Sequence, residues 1–380
     1  MNSLGQKHLG ALAALALLLR LPALFHPEAY LPAASPLGPL PLCLQPLLDA
    51  HAVWGWSVLG ALGALADAAS AVLIARLVER RRLADRLLSA QRSTEGLGSP
   101  GFWAGLAWAV NPVSLYLAGS SGAWQSLSLA CLLWAAWDLE YSAAAAAEGR
   151  AALALGLAIA FALWPLIFLP LAASGLLSRR ERSRLYVRAL WLPCLPGLAW
   201  LFLRTPHEVL SAWAGPPSTL GLPGLFSALW SAAGAPWDYL QPVLELWLWA
   251  APLALLGLGL SFWWRPTALL PGLALGAWVW ALACPSLQGP LLLLPVGLSL
   301  LLPGPLAWRS MAACLPLLVL QDRLPGLRSL MLRQQDASGL GRGTHLFWAA
   351  LLLAWLFWAL LECSRLWSQA RGPRRSSSYR

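Results

Sequence analysis

Phe102–Trp137 reads FWAGLAWAVNPVSLYLAGSSGAWQSLSLACLLWAAW, and the fold turns on what this run does near its centre. Apolar segments at 102–118 and 123–137 flank a polar stretch that holds Asn111-Pro112, Ser114, Ser120, Ser121 and Gln125. The apolar runs are long and continuous rather than alternating, which indicates helices and not a barrel. Pro112 removes a backbone donor and biases Asn111 away from the helical region, so the helix is expected to break or kink there. Inside hydrocarbon, the polar groups so freed must be met by neighbouring helices or by a water-filled cavity. Two readings follow: a kinked helix with a tight helix–helix turn, or the edge of a pocket that contacts a polar headgroup.

Composition carries the same reading to the whole chain. At 59% hydrophobic and 11% charged residues, with a mean hydropathy of +0.63, the sequence departs from soluble globular chains. Those carry about a quarter charged residues. A multi-pass, all-α transmembrane bundle is expected. The net charge of +10 comes from arginines gathered at the ends of apolar runs, with Lys7 the only lysine. That placement points to topology and anionic lipid headgroups rather than nucleic acid. Six cysteines (Cys43, Cys131, Cys194, Cys284, Cys314, Cys363) show no CxxC and read as buried thiols. The five histidines lack HExxH spacing, so neither a metal nor a cofactor is expected.

The first expected span, 8–25, is read as retained rather than cleaved. A second, 53–77, ends in Glu79-Arg80-Arg81-Arg82, which together with Arg179-Arg180-Glu181-Arg182 and the tail 371–380 is assigned to the cytosol. Three apolar runs (102–118, 123–137 and 151–177) separate the first two basic blocks, which is the wrong parity. The last is interrupted at Trp164-Pro165, so it is expected to dip in and return as two half-helices around an enclosed cavity. A tilted single span is the other reading. Further spans are expected at 189–203, 239–262, 266–284, 288–302, 305–320 and 345–362, with a lumenal, partly interfacial loop over 205–237. Roughly ten to twelve membrane segments result. Residues 1–364 are taken as one membrane domain and 365–380 as a disordered cytosolic tail. Arg323, Arg328, Arg333 and Arg342 then fall in a lumenal loop, against the simple charge rule.

Asp67 stands in the middle of the second span. An unpaired carboxylate there costs at least ~2.5 kcal/mol, so it should face the bundle interior, either bonded to a neighbouring helix or in contact with a ligand. Glu245, following Trp237, is shallower and faces either a lumenal cavity or the surface. A lipid-linked glycosyltransferase of this build needs an acid in the first lumenal loop. Here Glu28 and Asp49 lie far apart, with no paired-acid setting, which argues for a binding or scaffold role.

In these features the chain resembles the PIG-U family, the multispanning U subunit of the GPI transamidase, itself similar to lipid-linked mannosyltransferases of GT-C-like fold. Asp67 with Ala71 looks like the family's D-x-x-x-A, and Asn111-Pro112 with Ser114 and Leu115 like its N-P-x-[ST]-[IL]. Ser120-Ser121 and Ser126-Leu127 resemble the polar turn and the [ST]-L after it. Trp164-Pro165-Leu166 is similar to its Tyr-Pro-Leu. Trp237 and Glu245 keep an aromatic–acid spacing, and Pro285-Ser286 resembles its P-[ST]. The chain departs from the pattern at Leu282 and Gly289, where the family has a lysine and an acid, and over Leu246–Leu260, which replaces a Phe- and Asn-rich segment.

The resemblance implies a non-catalytic subunit in the endoplasmic reticulum membrane. It would help bind the GPI lipid, with the preprotein's C-terminal signal as a second candidate ligand, beside a caspase-like protease subunit and the T, S and GPAA-type subunits. The lipid- or glycan-contact candidates are Asp67, Asn111, Ser114, Ser120, Ser121, Gln125, Trp164, Trp237, Glu245 and Ser286. The alternative is a dolichol-phosphate-mannose-dependent GPI mannosyltransferase. A lipid-linked-sugar flippase is disfavoured by the lack of an inverted repeat.

Overall fold

The computed structural model describes residues 5–21, 40, 58–89, 99–117, 123–141, 147–162, 164–174, 176, 179–203, 220–234, 241–264, 267–284, 289–302, 304–323 and 342–371. Among them the fold is a bundle of helices with no strand. In order these are α1 (Gln6–Arg20), α2 (Val58–Ser89), α3 (Pro100–Ala109), α4 (Pro112–Leu117), α5 (Ala123–Tyr141) and α6 (Ala147–Phe161). A 3-10 turn (Trp164–Phe168) leads into α7 (Leu169–Ser174), followed by α8 (Arg179–Leu203), α9 (Gly221–Ala233), α10 (Gln241–Trp264) and α11 (Leu269–Ala283). A second 3-10 turn (Gly289–Leu292) precedes α12 (Leu293–Ser299), α13 (Leu306–Arg323) and α14 (Arg342–Ala370).

Both expected breaks occur. The run 102–118 is split between α3 and α4 at Asn111, and the run 151–177 is split by the 3-10 turn at Trp164-Pro165. Other boundaries move. Helix α2 continues through the Glu79–Arg82 block to Ser89, because arginine, leucine and alanine are good helix formers whatever the solvent. For the same reason α8 starts at Arg179, within its basic block, and not at 189. The expected loop 205–237 contains α9, which buries Leu225 and Ala228 and packs on α14. The boundary expected at 364/365 falls inside α14, where Leu366 and Ala370 are buried; residues 372–380 lie outside the described set. Among the described residues two stretches are long and apolar enough to cross a membrane, Gly60–Leu83 and Gly343–Ala370. Shorter apolar helices are Trp164–Ser174, Leu253–Trp264, Leu269–Ala283 and Leu306–Leu320.

Close contact between α2 and α3 rests on small residues. A Cβ on Gly101 would clash with the Ala75 carbonyl oxygen, and one on Gly105 would stand 2.8 Å from that of Ala71. Four-residue spacing of small groups on both helices is what lets two backbones approach this far. Gly156 of α6 meets the Ala189 carbonyl of α8 in the same way, at 2.7 Å.

The segment 147–174 doubles back. Helix α6 begins beside the end of α5, where Arg150 pairs with Asp138, and it ends with Phe161 stacked on Trp124, at the start of α5. The chain then returns. Phe168 packs against Gly276, about two turns inside α11, and Leu171 against Gly272, nearer the start of α11. Phe168 and Ala172 line a water-sized apolar void of about 10 Å³ with Leu132, Leu139 and Leu269, so the return runs alongside the second half of α5 toward the start of α11. Helix α8 opens at that end too, with Arg182 over Trp263 of α10.

Arginines collect at this end. Arg80 lies over Trp137, and Arg81 donates to the Leu301 carbonyl. Arg309 and Arg365 flank Glu362, Arg371 lies on Trp367, and Ala370 accepts from the Ala268 N–H at 3.2 Å. These contacts join the ends of α2, α5, α10 and α14 to the starts of α6, α8, α11 and α13.

Candidate functional site

The break at Asn111-Pro112 is built as a helix start. Val110 closes α3, and Asn111 then acts as N-cap of α4, its Oδ1 accepting from the Val113 N–H at 3.0 Å. Pro112 takes the first helical position, where its missing N–H costs nothing. At the other end of α3 the Ser99 hydroxyl accepts from the Phe102 N–H and Glu79 Oε2 from the Gly101 N–H. That contact gives buried Glu79 a partner.

Against this break lies a buried ion pair. Arg20, the last residue of α1, donates from Nε to Asp67 Oδ2 at 2.6 Å and from Nη2 to Ser114 Oγ at 2.6 Å. The Ser114 hydroxyl in turn donates to Asp67 Oδ2 at 2.7 Å, closing a three-membered ring of bonds. Arg20 Nη1 donates to the carbonyls of Ala16 and Ala109, at 3.0 and 3.1 Å, so the guanidinium takes up a carbonyl that the end of α3 leaves open. Trp108 Nε1 donates to the Asp67 backbone carbonyl at 3.1 Å. Arg20, Asp67 and Ser114 are 1–2% exposed, which makes this an interior clamp and not a surface pair. Asp67 Oδ1 and Asn111 Nδ2, both buried, have no hydrogen-bond partner among the described atoms.

Of the residues expected to meet a ligand, Asp67 and Ser114 are therefore joined in one clamp, with Asn111 capping the helix that carries Ser114. Of the two readings of Asp67, the bond to a neighbouring helix is the one seen. Gln125 is buried in the first turn of α5. Trp164 belongs to the second break, buried with its ring edge-on to Phe168, and its indole N–H has no partner among the described atoms. Ser120, Ser121, Trp237 and Ser286 lie outside the described residues; Glu245 falls in α10, its side chain outside the described set. Buried cysteines were expected, but Cys194 is exposed on α8. Arg150, at the start of α6, has its pKa raised by the hydrogen bond to Asp138 and by that carboxylate's charge.

Arg20 and Trp108 are the site residues that sequence reasoning missed. Arg20 lies inside the first expected span, 8–25. Its signal is that a carboxylate in hydrocarbon needs a counter-charge, and Arg20 is the one cation inside the first apolar run. No group of three or more metal-holding side chains occurs among the described residues. No protein-family model matches the chain, and no curated protein matches it.

Proposed function

We propose that this chain is a membrane-embedded, non-catalytic subunit of a GPI transamidase, which holds the anchor lipid while a separate protease subunit carries out attachment. The observation that supports it is convergence. Asp67 and Ser114, far apart in sequence and both drawn from the motifs that resemble the PIG-U family, meet at 2.7 Å at the Asn111-Pro112 break. A second motif, Trp164-Pro165, coincides with the second break, and both breaks sit in buried surroundings. Broken helices of this kind are found where a bundle encloses something polar. Asp67 Oδ1 and Asn111 Nδ2 are the unpartnered acceptor and donor that such a polar group would meet.

In this reading the apolar flanks of the bundle face lipid in the endoplasmic reticulum membrane, and the protease, T, S and GPAA-type subunits are its partners. A cell line lacking the protein should accumulate complete GPI lipid together with uncleaved preproteins, and affinity purification should recover the protease. Truncated GPI instead would identify a mannosyltransferase. In that event, replacing Glu28 and Asp49 together should abolish the activity.

A further inference from the structure

At the arginine end of the bundle, Arg182 lies in the first turns of α8. Its guanidinium stands over the Trp263 ring of α10 at 5.9 Å, and its Nε donates to the Leu176 carbonyl at 2.9 Å. Both groups that hold it are uncharged, so they place the positive charge without neutralising it. Tyr186, one turn along the same helix face, packs on the same Trp263 ring at 6.0 Å. Burial pushes the Tyr186 phenol up from its ordinary value, against a smaller opposite pull from Arg182, so it stays a neutral O–H donor. The surroundings are apolar and open. Trp264 is 80% exposed, and Leu256 and Leu260, on the same face of α10 as Trp263, are exposed as well.

A fixed guanidinium and a phenol held on an indole ring at the rim of an apolar flank match the phosphate of a lipid headgroup above its acyl chains. A soluble anion would use the charge and leave the flank bare. We propose that Arg182, Tyr186 and Trp263 form a site for the phosphate of an anionic phospholipid, with its acyl chains laid along the exposed side of α10. The site is separate from the clamp at Asn111-Pro112 and from any GPI-binding role.

The test uses the purified full chain in detergent, with lipid retention read by native mass spectrometry and stability by thermal unfolding. Phosphatidylserine should stay bound and raise the midpoint, whereas phosphatidylcholine and inorganic phosphate should not. Arg182→Gln should lower phosphatidylserine retention about five-fold, and Arg182→Lys should restore part of it. Arg184→Gln removes the same charge from the other side of α8 and should leave retention unchanged. Tyr186→Phe keeps the ring against Trp263 and should give a smaller loss, which covers the case of an unfolded Arg182 variant. Unchanged retention in Arg182→Gln and Tyr186→Phe would overturn the site. So would an equal loss in Arg184→Gln, which means diffuse charge, or equal protection by inorganic phosphate, which means a soluble anion. No GPI is present, so failure here leaves the proposed function untouched.

Discussion

Asp67 and Arg20 stabilise the interior only as a pair. Removing one partner leaves a charge stranded among apolar side chains, which costs about 3–5 kcal/mol, whereas replacing both by apolar groups is often nearly neutral. Asp67→Leu and Arg20→Leu should each lower stability by about that amount in detergent, and the double variant by distinctly less than either. Additive losses would show that the two side chains do not share an interaction. Ser114→Ala keeps the charges but removes a donor and an acceptor at once, so a loss of about 1–3 kcal/mol is expected in the same denaturation experiment. Asp67 was legible in the sequence as a residue that must be satisfied. Its partner was not, because Arg20 lies 47 residues away and only the packing of α1 on α2 brings the two together.

At the scale of elements, proline made the breaks legible: Pro112 and Pro165 each stand at the start of a new helical piece. Helix ends without such a breaker were not. The Glu79–Arg82 and Arg179–Arg182 blocks read as boundaries by charge, yet arginine continues a helix as readily as leucine does. The fit of Gly101 and Gly105 on Ala71 and Ala75 was hidden for another reason, since small residues in an alanine-rich chain carry little signal until the helices are paired. Gly105→Val should destabilise strongly, because its side chain meets the Ala71 carbonyl, which belongs to the backbone of α2 and cannot turn aside. Gly10→Ala, at an exposed position of α1, is the matching control. Nothing lies within 4 Å of a Cβ there, so it should leave stability unchanged or raise it by up to ~1 kcal/mol through helix propensity. Thermal unfolding of the two variants side by side reads the difference.

For the whole molecule the decisive property is that the return of 164–174 puts α8 back where α6 started. The basic block of α8 and the end of α14 then share one end of the bundle, with Arg182 at Trp263 and Arg371 at Trp367. In a bilayer that end is expected to be cytosolic, since arginine-rich ends are retained on that side. The parity problem posed by three apolar runs between two basic blocks is thereby removed. Ser183 and Ser368 are exposed residues on these two helices and serve as labelling sites. Single cysteines placed there, in a chain whose native cysteines are replaced, should react with a membrane-impermeant maleimide from the same face of sealed microsomes, without permeabilisation. If α6 and its continuation crossed as one tilted span, Ser183 would label from the lumen and Ser368 from the cytosol. Opposite labelling would therefore break the doubled-back segment and, with it, the common arginine end on which the phospholipid site depends.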